Sequence, residues 1–416
     1  MKKISLYFQI HHPYNLRKYR FLDIGNDHYY FDDYHNESEI QNMATSVYLP
    51  NNDRLLSLIE KYKGAFKVAF SISGTTLELF QNYCPIVIES FQRLAQTGYV
   101  EFLSETYAHS LASVNNKEEF KRQVTQHSRV IEELFGQKPK VFRNTHLIYS
   151  DEIGETVAEL GFDGMITEGA KHILGWKSPN FVYCNAINPR LKVLLRNYKL
   201  SDDIRFKFSN TEWSEYPLTA EKYFSWIKDS DPKEEVYNIC FDYESIGKYN
   251  TKDSGIYEFI SSIVPLVVED ESVEFDTPSK TIEELQTISA VHVTYPISWS
   301  DEERDLSAWL GNDLQKEAFA KLYDIQPLMN ECKDQEKCRE WNYLQSSDHF
   351  NYMSTKWFSD GQVQWRETPY ESPYDAFINY MNVINDFRIQ LEKETPEKKL
   401  EHGIDHLKKI IETQCE

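Results

Sequence analysis

The sequence predicts an α/β protein, with a barrel-like domain of seven strands over residues 1–300 and a helical region over 301–416. Three observations carry this. Short, nearly continuous apolar runs alternate with helical stretches through the first 250 residues, as expected for a parallel sheet buried on both faces. The chain turns polar after almost every run, and barrels of this kind build their sites at the carboxyl ends of their strands. From about residue 302 the strand signal fades and helical periodicity takes over.

The strands fall near 3–10 (KISLYFQI), 67–72, 100–104, 140–145, 164–168, 192–197 and 236–242 (VYNICFD). Their downstream ends read HHPYN, SGTT, ETYAH, HLIYS, EGAKH, NYKLSDD and YESIG. No Gly-rich phosphate loop follows any of them, so an open nucleotide-binding sheet is the weaker reading. The clearest helix is 117–135, where Phe120, Val124, Ile131 and Leu134 share a face. Beyond 301 the helical stretches are 301–325, 372–393 and 396–414, the last a charged amphipathic helix lined by Leu400, Ile404, Leu407 and Ile411.

With 416 residues, 41% of them apolar and 27% charged, the chain is globular. Its 45 basic against 66 acidic residues leave a net charge of −21, which repels phosphate backbones and anionic headgroups, so neither nucleic acid nor membrane is an expected partner. No apolar run approaches the ~18 residues of a membrane span. The apolar start is cut by Gln9, His11 and His12, too early for an export signal. The six cysteines form no C-x-x-C pair. A reduced cytoplasmic protein without a metal or other cofactor is therefore expected.

Four constellations are candidates for chemistry. His11 and His12 end the first strand, where Pro13 forces the chain to turn; an imidazole satisfied by a backbone carbonyl is an equally good reading. Glu101, Glu105 and His109 are spaced by four, and mid-strand carboxylates are rare inside a protein unless paired or functional. An ion pair with Arg143 or Arg196 is the plainer alternative. Asp242 closes an apolar strand, where a desolvated carboxyl can serve as a general acid. Trp299 and Trp309 can wall a pocket, with Asp348 and His349 added from the tail, while Ser300 or Asp301 reads as a helix N-cap with Glu303 in its first turn.

The segments HHP (11–13), GYVEFLSET (98–106), VFRNTHLIYSD (141–151), FDYESIG (241–247) and FDTPS (275–279) resemble, in order, the five signature regions of glycoside hydrolase family 57, above all its α-amylase and α-amylase-like group. The tail motifs ERDLSAWLGN and SSDHFNYM are similar to that group as well. The resemblance implies an incomplete seven-stranded (β/α) barrel followed by a helical region, acting on α-glucans with retention. It implies His11 and Glu101 as sugar contacts, Asp242 as general acid/base, and Trp299 and Trp309 as subsite walls.

The third region departs from the pattern: His146 stands where the family carries its glutamate nucleophile. Retention needs two carboxyls ~5–5.5 Å apart. An imidazole brings no negative charge to an oxocarbenium-like transition state, so the expected protein binds α-1,4-glucan or another oligosaccharide with weak or absent hydrolysis. Two alternatives stand beside this. Glu105, Glu168 or Asp301 could replace the missing acid, or serve an inverting mechanism with carboxyls ~6.5–9.5 Å apart. A metal-dependent carbohydrate hydrolase or deacetylase could use His11, His109, His146 and Asp242 as ligands, although no pair has a recognised short spacing.

Overall fold

The computed structural model describes residues 1–300, 302–356 and 368–394. The expected helix 396–414 and Asp301 lie outside the described residues. Ten strands are described: β1 (Lys2–Ile10), β2 (Val68–Ile72), β3 (Val100–Phe102), β4 (Val141–Arg143), β5 (Gly164–Glu168), β6 (Val182–Asn185), β7 (Lys192–Arg196), β8 (Val236–Asp242), β9 (Val273–Phe275) and β10 (Ala290–Val291).

Seven of them form a parallel ring. β1 pairs with β2 on one side and β8 on the other, β2 with β3, β4 with β5, and β5 with β7. Two seams are thin. β3 reaches β4 only through the bridge Ser104↔Phe142, and β7 meets β8 at the single register pair Arg196↔Asn238. These seven strands are the seven expected from the sequence, and the thin seams make the barrel incomplete. The remaining three are additions: β6 runs antiparallel to β7, β10 pairs with β6, and β9 with β1.

Register fixes what faces inward, because parallel partners share a side and side chains alternate. Tyr7 pairs with Cys240 and Ala69, and Gln9 pairs with Asp242 and Ser71. Gln9, Arg143, Glu168, Arg196 and Asp242 thus stand at or next to the carboxyl ends of their strands. The opposite end is closed by the helix Pro278–Glu284. Lys192 Nζ donates to the carbonyls of Ile282 (2.5 Å) and Leu285 (2.8 Å), and a Cβ on Gly164 would fall 2.8 Å from the Ile282 side chain. The FDTPS segment therefore belongs to this floor.

The helix expected at 117–135 is observed as Lys117–Phe135, capped by the Asn116 side chain, which accepts from Glu119 N, and ended by Gly136 at φ 68°. Its Phe120, Val124 and Ile131 are buried. The N-cap expected at Ser300 or Asp301 is not what Ser300 does: Glu302 and Glu303 turn, and the helix begins at Ser307. Ser298 accounts for the difference. Its N–H donates to Arg304 O (2.9 Å) and its hydroxyl to Asp305 O (2.5 Å), which folds the segment back instead of releasing it into a helix.

The described residues divide into two compact units. One comprises Met1–His12 and Tyr34–Leu306; the other takes Pro13–Asp33 with the described parts of Ser307–Trp357 and Gln364–Glu416. In the second unit the helix Pro373–Glu394 holds the Pro13–Asp33 segment through polar anchors. Asn379 accepts from Tyr19 N (2.7 Å), and Asp386 accepts from Gly25 N (2.6 Å) and Tyr30 Oη (2.7 Å). Among the described residues no helix is long and apolar enough to cross a membrane.

Candidate functional site

The polar chain segments that follow the strands converge at one end of the ring. His11 and His12 lie just past β1, and each finds its own partners. His11 Nδ1 lies 2.7 Å from Ser73 Oγ, and its ring stacks on His109 with centroids 4.0 Å apart. His12 Nε2 lies 2.5 Å from Tyr48 Oη and 3.7 Å from Glu244, while Nδ1 lies 3.4 Å from Glu39. Although burial pushes the Glu39 carboxyl up, its hydrogen bond to His12 and the charge there bring it down to about 2. Burial pushes the Glu244 carboxyl up.

Gln9 fixes the state of His109. Its Oε1 accepts from Arg143 Nη2, so its amide nitrogen, 3.2 Å from His109 Nε2, must be the donor. The ring proton of neutral His109 then sits on Nδ1, facing Glu105 Oε1 at 3.4 Å. Glu105 Oε2 accepts from Ser71 Oγ at 2.5 Å and lies 3.7 Å from Arg143 Nη1. Both Glu105 and His109 are fully buried. This is the barrel-interior pairing with Arg143 that the sequence offered as the plain reading of Glu105.

His127, on the long helix, holds Glu105 in place through the backbone. Its Nδ1 accepts from Glu105 N (3.1 Å) while Nε2–H donates to Ile72 O (2.8 Å), so the ring is needed neutral. Burial pushes its pKa below 6.5, against the pull of Glu105. The unfolded chain therefore takes up a proton that the folded one refuses. Stability should fall as pH drops below ~6.5, with a slope approaching ~1.4 kcal/mol per pH unit, and be unaffected by this group above it. Urea midpoints from pH 7.5 to 5.5 check this, and His127→Gln should flatten that window because an amide supplies the same acceptor and donor.

His146 follows β4 with φ 51° and ψ 24°, left-handed geometry that His tolerates better than most side chains. His109 shares it at φ 51°, and the two rings meet edge to face at 4.8 Å. Trp299 serves His146 twice: its backbone N–H donates to His146 O (3.0 Å) and its indole N–H to Nδ1 (3.3 Å). Three guanidinium groups surround that indole, with Arg205 at 4.3 Å, Arg143 at 5.5 Å and Arg196 at 5.7 Å from it. Trp299 is 4% exposed, so it packs as a hub instead of standing as an open wall.

Asp242, at the end of β8, meets Arg205 Nη2 at 2.5 Å. Glu168, at the end of β5, accepts from Arg196 Nη1 (3.0 Å) and Gly169 N (2.8 Å), with Arg304 at 3.5 Å. Gly169 must be glycine here: a Cβ would lie 2.5 Å from Arg196 O. Glu101 is not brought to this end. Its Oε2 accepts from Ser279 N (2.9 Å) at the floor helix, and burial pushes its pKa up. Four residues of extended chain span ~13 Å, enough to leave Glu101 low in the barrel while Glu105 reaches the rim.

Trp309, Asp348 and His349 are buried residues of the second unit. Within it, Asp348 accepts from Ser346 Oγ (2.9 Å), and His349 Nε2 lies 3.1 Å from Tyr343 O. As for a metal, the described ligand atoms that gather within 4.8 Å of one another are those of Glu274, Asp276 and Glu284, not His11, His109, His146 and Asp242. Lys3 Nζ already fills that acidic cluster, 2.6–2.9 Å from all three carboxylates. Sequence reasoning missed Arg205 as a site residue; it arrives on a π-helical turn, Asp203–Lys207.

A ring of seven parallel strands with acids, imidazoles and arginines at its carboxyl rim defines a barrel whose site lies at that end. The glycosyl hydrolase family 57 model matches residues 5–294, and the chain belongs to that family. It is 38% identical over 403 residues to a protein of Methanocaldococcus jannaschii named "Putative alpha-amylase", a match covering 94% of this chain and 85% of that one. Two solved structures share the fold at low identity. A family 57 branching enzyme from Thermococcus kodakaraensis has a TM-score of 0.69 at 13% identity, over 94% of this chain and 90% of its own. The α-amylase AmyC from Thermotoga maritima has a TM-score of 0.63 at 14% identity, over 96% of each chain.

Proposed function

We propose that this protein binds α-1,4-glucan oligosaccharides at the carboxyl rim of its barrel and hydrolyses them weakly or not at all. The observation that carries this is His146. It stands at the end of β4, in the motif position of the attacking carboxylate, with Nδ1 engaged by the Trp299 indole. Family membership and the named relative support a glucan as ligand.

The alternative of an active enzyme with a substitute acid is less well supported. Glu105 and Glu168 are both fully buried and committed, the first to Ser71 and Arg143, the second to Arg196. A carboxylate withdrawn from solvent and already paired is poorly placed to attack an anomeric carbon or activate water.

Calorimetric titration with maltotriose to maltoheptaose tests the reading. The expected result is millimolar or tighter binding, with about 1.4 kcal/mol of added stability at ten times Kd and no release of reducing ends. No binding and no stabilisation at about 10 mM overturns the binding half. Efficient turnover by the unmodified protein, free of contaminating amylase, overturns the other.

A further inference from the structure

We propose that Arg205 and Trp299 fill the subsite between positions 146 and 242, so that a guanidinium occupies the place of the reacting sugar ring. The inference rests on the reading of those two positions as the reacting pair. β4 and β8 stand on opposite walls of the ring, separated by β5 and β7 on one side and by β1, β2 and β3 on the other. One unbroken series of contacts spans the gap. His146 takes the indole N–H of Trp299 at 3.3 Å, the indole face holds Arg205 at 4.3 Å, and Arg205 meets Asp242 at 2.5 Å.

The chemistry of the occupant matters as much as its position. The sugar in glycoside hydrolysis becomes oxocarbenium-like, a cation stabilised by flanking carboxylates. Arg205 brings a planar, permanent cation to the remaining carboxylate before any sugar arrives. The arrangement is built, not incidental. The π-helical turn Asp203–Lys207 aims Arg205 inward, as π-bulges do at many functional sites. Arg143 and Arg196 flank the same indole, and the Trp299 carbonyl accepts from Arg304. Trp299 is 4% exposed, and the side chains of Arg205 and Asp242 are 10% and 14% exposed. A ring entering between His146 and Asp242 must first displace Arg205 from both partners.

A cationic monosaccharide mimic should therefore be refused, while neutral oligosaccharides bound further out are not. The probe is 1-deoxynojirimycin, a glucose-shaped iminosugar, titrated calorimetrically into the full chain at neutral pH. The wild type should show no binding up to about 10 mM, and Arg205→Met should bind at least about ten-fold tighter, since methionine still covers the indole but leaves Asp242 unpaired. Sub-millimolar binding by the wild type overturns the inference, as does a folded Arg205→Met variant that binds no better. Should that variant fail to fold, a crystal of the wild type soaked in the iminosugar decides. Arg205 remaining on Asp242 supports the inference, and a sugar ring lying between Asp242 and His146 overturns it. The maltooligosaccharide titration is a separate measurement, so loss of glucan binding alone would sink the proposed function and leave this result standing.

Discussion

His146→Glu combined with Arg205→Met is expected to raise reducing-end release from maltooligosaccharides by about 10³-fold or more over the wild type, with retention of anomeric configuration. On the proposed reading of positions 146 and 242 as the reacting pair, the first change supplies an attacking carboxylate; loss of such a group commonly costs several powers of ten, and restoring it should recover a comparable factor. The second frees Asp242 from the guanidinium 2.5 Å away. His146→Glu alone should gain much less, because Arg205 would still hold the acid and fill the space between the two carboxyls. The new glutamate also inherits φ 51°, a left-handed backbone that costs a long side chain ~1–2 kcal/mol, so a modest loss of thermal stability should accompany the gain. Reducing-sugar assays and NMR of the first-formed anomer check both points. Equal rates for the single and double variants would show that Arg205 does not limit the site. No gain in either would show that positions 146 and 242 are not the reacting pair.

The parts of the molecule legible in the sequence are those whose signal is local. Each ring strand is an apolar run ended by polar residues, and this pattern alone located all seven. β6, β9 and β10 escaped because they are short additions outside the ring, where the alternation of apolar run, polar turn and helix that marks even the three-residue β3 and β4 does not apply. The site divides in the same way. Asp242 and His146 are legible because each sits where a strand or motif places it. Glu101 and Glu105 share a strand parity, but parity fixes the side and not the height, and only the floor helix reveals that Glu101 belongs to the far end. Arg205 has no local signature: the stretch IRFKF gives no sign that its backbone takes the extra residue of a π-turn, and without that turn nothing points the guanidinium at Asp242. Trp299 reads from the sequence as an apolar pocket wall, since a ring beside polar strand ends suggests stacking. Three arginines from separate elements, gathered only by the ring of strands, make it a buried hub instead.

Arg196→Leu is expected to destabilise the barrel by ~3–5 kcal/mol, the range for removing one member of a buried ion pair and stranding the other. Arg196 is 1% exposed and is used on every side. Nη1 serves Glu168 at 3.0 Å, Nη2 serves Asp202 at 2.5 Å, and Nε serves the Cys240 carbonyl at 3.0 Å. Removing it leaves Glu168, fully buried, with Arg304 at 3.5 Å as its nearest described cation. The residue also sits at the thin β7–β8 seam, where Arg196↔Asn238 is the only register pair, so repacking there has little sheet to lean on. Arg196→Lys should fall between, because one ammonium reaches one acid well and cannot fork to two. The double variant Arg196→Leu/Glu168→Leu should lose less than Arg196→Leu alone, since no carboxylate is then stranded, and that inversion in urea melts separates a desolvation penalty from loss of packing. The exposed pair Arg129–Glu133 at 2.7 Å supplies the contrast: with side chains 78% and 57% exposed, its removal should leave the urea midpoint almost unchanged, because solvent and salt screen the pair. Similar losses at the two sites would mean that water reaches Glu168, and the carboxyl rim would then be far more open than its buried arginines indicate.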